Sequence, residues 1–323
     1  MNNKYSFLLG AGASVPAGIP SLEKLYKLYL ENLTKKEISL INLMEERLGE
    51  NKNQDYNFNL KSLLNMLNLL KKFDQEPIKS LFFNIENELI NNLNLVPTMI
   101  RKLKKIIRNK CMAEEKNINY LLPLRKFIYN ANSLQIFTLN YDLIIETLCE
   151  LYRIDYTDGF KLTWQPELFE DESFDLRLYK LHGSSIWYET ENGKKLKIPI
   201  SNYKGDLKYF LGTELSNLLI YPQKNNREPF QKLLHYFDLH LLEIDTLISI
   251  GYSFNDSLIR QRVLDGLKNN PRLHIYLISP HAEETLNKYF SHYKERIFVF
   301  NQGVREVLAD DFLYFKVQDF LQE

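Results

Sequence analysis

The sequence predicts an α/β fold: a doubly wound, parallel, Rossmann-like sheet interrupted by a helical insertion and carrying a small hairpin-containing lid. Three observations predict it. Short apolar runs of strand length recur at 5–9, 134–139, 176–181, 246–250 and 274–278, several of them closed by glycine or small polar residues, as strands buried on both faces are. The later runs alternate with segments of helical rhythm, and such alternation builds a parallel sheet with helices on both sides. Between Ser21 and Asn132, by contrast, the chain is rich in Leu, Asn and Lys with apolar residues three and four apart, a pattern of packed helices.

Bulk properties narrow the function classes. At 323 residues the chain can bury a sizeable core. Its apolar fraction of 45% and charged fraction of 25% are those of an ordinary globular protein. Lys+Arg and Asp+Glu are both 41, so no global field draws it to nucleic acid or an anionic membrane, and neither is an expected partner. Cys111 and Cys149 form no C-x-x-C pair, which argues against a disulfide framework and a cysteine zinc site and for a reducing, cytoplasmic setting. No run approaches the roughly 18 to 20 apolar residues of a membrane span. Lys4 before Phe7-Leu8-Leu9 suggests a leader, but a signal core needs roughly 7 to 15 apolar residues, and the glycines cut this one short.

The elements follow in order. Tyr5 to Leu9 reads as a buried strand ending at Gly10-Ala11-Gly12-Ala13-Ser14. Ser21 has the chemistry of a helix N-cap, with Glu23 in the first turn. Leu60-Lys-Ser-Leu63-Leu64-Asn-Met66-Leu67 and the segment after Pro77 continue the helical rhythm. Arg101 to Lys110 is a basic helix with an apolar stripe at Leu103, Ile106 and Ile107, a solvated face over a packed one or, alternatively, a partner surface. The character changes at Ser133: Leu134 to Leu139 is strand-like and ends in Asn140-Tyr141-Asp142, before a helix at Leu143 to Leu148. Leu176 to Leu181 is a strand ending in His182-Gly183-Ser184. Asn192-Gly193, between β-prone flanks within 186–200, is a strong hairpin signal. Then come Leu218 to Tyr221, a helix from Pro229 to Glu243, the strand Thr246 to Ile250 and a helix from Ser257 to Leu267. The strand His274 to Ile278, a helix from His281 and the strand Ile297 to Phe300 complete the series. The division expected is a discontinuous sheet domain of 1–30, 133–182 and 218–323, a helical insertion of 31–132 and a lid of 183–217.

Ligands of open parallel sheets bind beyond the carboxyl ends of the strands, where strand order reverses. Each predicted end here is small or polar: Gly10 to Ser14, Thr138 to Asp142, His182 to Ser184, and Gly251-Tyr252-Ser253-Phe254-Asn255-Asp256. Singly they are weak. Gly10 and Gly12 fit G-x-G, but Val15 stands where the dinucleotide fingerprint has its third glycine, so a plain tight turn is an equal reading. Asp142 has the chemistry of a helix cap whatever else it does. His182 alone reads as structural. Gly251 to Asn255 resembles a hydrolase nucleophile elbow but lacks the second glycine and the following Asp…His order. His235 and His240, five apart, do not form a metal pair on one helix face.

Together these stretches resemble the sirtuin family. Its G-A-G-x-S and G-I-P elements are matched by Gly10 to Ser14 and Gly18-Ile19-Pro20, its T-x-N-x-D by Thr138-Leu-Asn140-Tyr-Asp142, its L-H-G by Leu181-His182-Gly183, and its G-x-S by Gly251-Tyr-Ser253. The four-cysteine zinc module typical of protein-deacylating members has no counterpart, since 186–218 contains no cysteine, and Ser21-Leu-Glu replaces their Asp-Phe-Arg. The sequence is more similar to a bacterial sirtuin-like branch of anti-phage defence, whose G-x-S-x-x-D element Asp256 fits. That resemblance implies an NAD+ glycohydrolase that consumes NAD+ as substrate, with no zinc or other metal. It implies catalytic roles for Asn140, Asp142 and His182. It implies NAD contacts from Gly10, Ala11, Gly12, Ala13, Ser14, Ile19, Pro20, Thr138, Gly183, Gly251, Ser253, Asp256 and Ser279. The Ala11 to Ser14 amides would cradle the pyrophosphate, Asn140 would fix ribose hydroxyls or water, Asp142 would offset developing positive charge, and His182 would act as general base. It further implies control by homo-oligomerisation or by a helicase-like ATPase or Argonaute-like partner. The alternatives are an NAD-dependent protein deacylase and a non-catalytic NAD-binding subunit.

Overall fold

The computed structural model describes residues 4–50, 60–73, 92–190, 192–198, 217–220 and 228–322. The expected helix after Pro77, most of the lid beyond Ile198, and Tyr221 lie outside the described residues. The chain forms two compact units, one of 1–19 with 111–323 and one of 20–110, whereas the sequence patterning divides it at 30/31 and 132/133.

The larger unit is built on a seven-stranded sheet. Its strands are β1 (Tyr5–Leu9), β2 (Leu134–Thr138), β3 (Tyr156–Thr157), β4 (Leu176–Lys180), β8 (Thr246–Ile250), β9 (His274–Ile278) and β10 (Ile297–Phe300), and β5 (Gly183–Glu189), β6 (Lys195–Lys197) and β7 (Asn217–Ile220) form a second sheet. The large sheet runs β10-β9-β8-β1-β2-β4-β3, and every pairing in it is parallel. β1 is buried along its whole length because both faces are covered. Phe7 and Leu9 point into a core closed by Phe127, Ile144, Leu148, Val304, Leu313 and Val317. Leu8 points into the opposite core with Leu233, Phe237, Ile259 and Val263. Helices thus cover both faces, which is the doubly wound arrangement the alternation predicts. The helices Val304–Leu308 and Phe312–Gln322, beyond the last expected strand, help to close the first core.

The segment after β4 turns directly into the second sheet. Gly183, at φ +90°, opens β5 at once. β5 pairs antiparallel with β6, Trp187 opposite Lys197 and Glu189 opposite Lys195, so the Asn192-Gly193 hairpin forms with Gly193 at φ +76°. β5 also pairs antiparallel with β7.

The unit of 20–110 is helical in its described parts, with helices Leu22–Glu31, Lys35–Glu50, Leu60–Phe73 and Val96–Lys110. Ser21 caps the first, its hydroxyl accepting from the Lys24 amide at 3.3 Å. Tyr29 is fully buried and donates to the Met99 carbonyl at 3.1 Å. In the basic helix the packed face is Val96, Met99, Ile100, Leu103 and Ile107; Ile106 is only half-buried, because the face repeats every three and four residues and passes it by. Burial, with Lys71 nearby, pulls the Lys104 ammonium down to about 8.

Candidate functional site

The chain enters the sheet in the middle, at β1. It then adds β2, β4 and β3 on one side and β8, β9 and β10 on the other, so the strand order reverses at β1. The polar segments singled out in the sequence follow β8, β1, β2 and β4, which are consecutive neighbours in the sheet. The topology therefore gathers them along one edge of the sheet, at the place where open α/β folds bind ligands.

The turns after β1 and β8 touch backbone to backbone. The Gly10 amide donates to Ile250 O at 2.9 Å and the Gly12 amide to Gly251 O at 2.9 Å. A Cβ on Gly12 would stand 2.8 Å from the Gly251 Cα; one on Gly251, which is itself at φ +65°, would stand 2.3 Å from the Ala13 nitrogen. These glycines are required by each other. The Ala13 and Ser14 amides close a tight helical turn onto Gly10 O and Ala11 O. Three of the four amides from Ala11 to Ser14 are thus already donated within the protein, and the open four-amide cradle expected for a pyrophosphate is not formed.

Asn140, at the end of β2, reads that turn. Its Nδ2 donates to Gly10 O at 2.8 Å and to Ser14 Oγ at 2.9 Å; a carbonyl partner requires the amide nitrogen on that side. Its own amide donates to Thr138 Oγ1 at 3.1 Å, and the Thr138 hydroxyl reaches Leu9 O at 3.5 Å. The Ser14 hydroxyl in turn bonds the Asp142 carboxylate. Asp142 Oδ1 also accepts from the Ile144 amide at 3.3 Å, at the start of the following helix. Burial pushes the Asp142 carboxyl up, against the opposing pull of Lys180, Ser14 and the Ile144 amide.

Behind this network lies a charge pair that sequence reasoning missed. Lys180, the last residue of β4, is fully buried and donates to Glu146 Oε1 at 2.8 Å and to the Asp142 carbonyl at 2.6 Å. Glu146 is equally buried; burial raises its carboxyl and Lys180 pulls it back down. Buried Lys and Glu are rare unless paired. The signal in the sequence was Glu146 inside the apolar run Leu143-Ile-Ile-Glu-Thr-Leu148.

His182 and Asp256, from the ends of β4 and β8, meet. His182 Nε2 lies 3.4 Å from Asp256 Oδ2, both side chains almost buried. Asp256 Oδ1 caps the helix Ser257–Asn269, accepting from the Leu258 and Ile259 amides at 2.9 and 3.3 Å. Ser253 is exposed on the same turn, and Gly183 is buried beside His182 in sequence. Ile19 is buried in the sheet unit, while Pro20 begins the helical one. Ser279 serves its own turn after β9, its hydroxyl accepting from the His281 amide at 3.2 Å and its amide donating to Phe300 O at 3.2 Å.

Among the described residues no group of three or more His, Cys, Asp or Glu is arranged to hold a metal ion, and no helix is long and apolar enough to cross a membrane. Cys111 and Cys149 are buried free thiols, which burial pushes up in pKa.

The fold is similar to several solved structures. Sir2Tm bound to a propionylated peptide matches with 13% identity and a TM-score of 0.48, over 97% of this chain and 93% of that one. A triply substituted Sir2 homologue in complex with 2′-O-acetyl ADP ribose matches with 13% identity and a TM-score of 0.47, over 98% and 93%. Sir2 bound to acetylated peptide matches with 13% identity and a TM-score of 0.47, over 97% and 93%. No curated protein matches the sequence. The family model of the SIR2-like domain matches residues 134–298, just over half of the chain, and the protein belongs to that family.

Proposed function

We propose that this protein is an NAD+ glycohydrolase that cleaves the bond between nicotinamide and ribose and so depletes NAD+ in bacterial anti-phage defence. The observation that carries the reading is the convergence, at the point of strand reversal, of the β1 glycine turn, Asn140, His182 and the β8 turn. Membership of the SIR2-like family supports NAD+ as the molecule used. The absence of any cysteine in 186–218 favours hydrolysis over the deacylase alternative.

In the proposed step water adds to the ribose C1′ as the C1′–N bond breaks. Nicotinamide leaves with the bonding pair as a neutral pyridine, ADP-ribose remains, and the water proton passes to His182. Such displacements run through an oxocarbenium-like transition state, and a well-placed base contributes roughly 10²–10⁴-fold. Asn140 holds the rim of the site, and Asp142 braces it from behind through Ser14. Such an enzyme must be restrained, so a homo-oligomer or a helicase-like ATPase or Argonaute-like partner in the cytoplasm belongs to the proposal.

Nicotinamide release by the purified protein, alone and with the product of a neighbouring gene, tests it. Release in wild type that disappears in Asn140→Ala and His182→Ala is the expected result. One observation favours a second reading, a non-catalytic NAD-binding subunit: the Asn140 amide hydrogens are committed to Gly10 and Ser14. NAD+ protection against thermal unfolding without turnover under any condition would replace the first reading by that one.

A further inference from the structure

Resting on the proposed hydrolase reading, we infer that Asp256 is a positioning residue for His182, and that it makes Nδ1 the basic nitrogen of that ring. The sequence places Asp256 among the substrate contacts. Its carboxylate also makes contacts inside the protein. Oδ1 takes the first free amides of the helix Ser257–Asn269, and Oδ2 faces His182 Nε2 at 3.4 Å. An ionised carboxylate is an acceptor only, so the partner nitrogen carries the hydrogen and the neutral imidazole keeps its lone pair on Nδ1. The water proton in the hydrolytic step then goes to Nδ1, and the resulting imidazolium faces a fixed negative charge.

The turn that carries Asp256 is fixed from several sides. Phe254 is fully buried at φ +56°, a conformation bulky residues rarely adopt. Its ring packs between Tyr252 and Phe290, with centroids at 4.3 and 4.8 Å. Its carbonyl accepts from Arg260 at 2.6 Å, and the Tyr252 hydroxyl reaches the Asp256 carbonyl at 3.5 Å. Among the described residues, three other charged side chains of these strand ends and the following helices have partners of their own. Lys180 is committed to Glu146 and the Asp142 carbonyl, Asp142 to Ser14 and the Ile144 amide, and Arg260 to Phe254 O and the ring of Tyr289. Asp256 stands within ion-pair distance of this imidazole and is held there by its own turn.

Two variants separate this role from the helix cap. Asp256→Asn keeps the cap and the reach but removes the charge, and Asp256→Ser keeps a capping oxygen while falling short of His182. The His182 ring is followed by NMR in the purified full-length protein, its signals assigned by their loss in His182→Gln. The expected wild-type signature is a neutral Nε2–H tautomer. Proton affinity should fall on the order of tenfold in Asp256→Asn, the shift an adjacent opposite charge produces, with both variants still folded by circular dichroism. Where turnover is present, kcat should fall with KM for NAD+ little changed. An unchanged titration in Asp256→Asn overturns the inference, as does a neutral Nδ1–H tautomer in wild type. A rise in KM or loss of NAD+ affinity with an unchanged titration overturns it too and returns Asp256 to the substrate. The titration needs no turnover, so failure of the hydrolase reading leaves this outcome legible on its own.

Discussion

The two sides of the candidate site are held together by opposite means. On the β1/β8 side the turns meet through bare backbone: Gly12 and Gly251 lie so close that neither tolerates a Cβ. On the β2/β4 side the contacts run through side chains, from Asn140 and Ser14 to Asp142 and on to the buried Lys180–Glu146 pair. The first side is rigid by steric exclusion and indifferent to pH. The second is held by charge and hydrogen bonds between buried groups, where each partner is costly once its mate is lost. The glycines of the motif are therefore required by packing whatever else the turn does, whereas the buried charges are held by their partners.

The largest effect should come from breaking the backbone side. Gly251→Ala places a methyl 2.3 Å from the Ala13 nitrogen and forces a left-handed conformation on alanine. We expect a loss of at least about 3 kcal/mol, the left-handed backbone plus the displacement of a turn, read by urea denaturation. A loss under about 1 kcal/mol would mean that the two turns are free to separate and are not locked by steric exclusion.

The charged side breaks in a different pattern. Lys180→Met leaves Glu146 and the Asp142 carbonyl buried without their cation, and removal of one member of a buried pair costs about 3–5 kcal/mol. Glu146→Leu strands Lys180 in the same way. The double variant should be more stable than either single one, because an apolar pair of similar volume replaces two desolvated charges. Strictly additive losses in the double-mutant cycle would show that the two residues do not act as a pair.

That contrast also explains what could be read from the sequence. β1, β8, β9 and β10 have the bounds the apolar runs predict, because strands of a parallel sheet covered by helices are largely apolar and stop at a turn. The four polar ends were visible for the same reason. Their purpose was not: what Gly12 touches is Gly251, far away in the chain, and no local pattern names a distant backbone as the object of a close approach. Lys180 was hidden because Leu176-Arg177-Leu178-Tyr179-Lys180 reads as a strand with its charge turned to water, while its mate stands 34 residues upstream. The pairing of His182 with Asp256 was hidden likewise, because His182 alone reads as a structural residue at a strand end and the resemblance assigns Asp256 to the substrate. β3, only two residues long, falls below any periodicity.

The smallest expected effect tests whether the β2/β4 side is pH-sensitive beyond the ion pair. His240 lies on the helix Phe230–Glu243 against the rings of Phe137 and Tyr179, with centroids at 5.3 and 5.6 Å. Its Nδ1 lies 2.8 Å from Tyr236 O, so that nitrogen carries the hydrogen. Burial holds the imidazole below its ordinary value of 6.5. The unfolded chain therefore binds a proton near pH 6.5 that the folded chain refuses. Stability from this group is complete above that pH and is lost as pH falls toward the lower folded value. His240→Gln should remove this part of the acid slope, by less than about 1.4 kcal/mol per pH unit, the ceiling for one proton. Urea midpoints at pH 5.5 and 7.5 in wild type and variant measure it. The wild type should lose more stability on acidification than the variant does. Parallel losses in the two proteins would place His240 in contact with water and leave the buried charges as the only pH-dependent element on that side among the described residues.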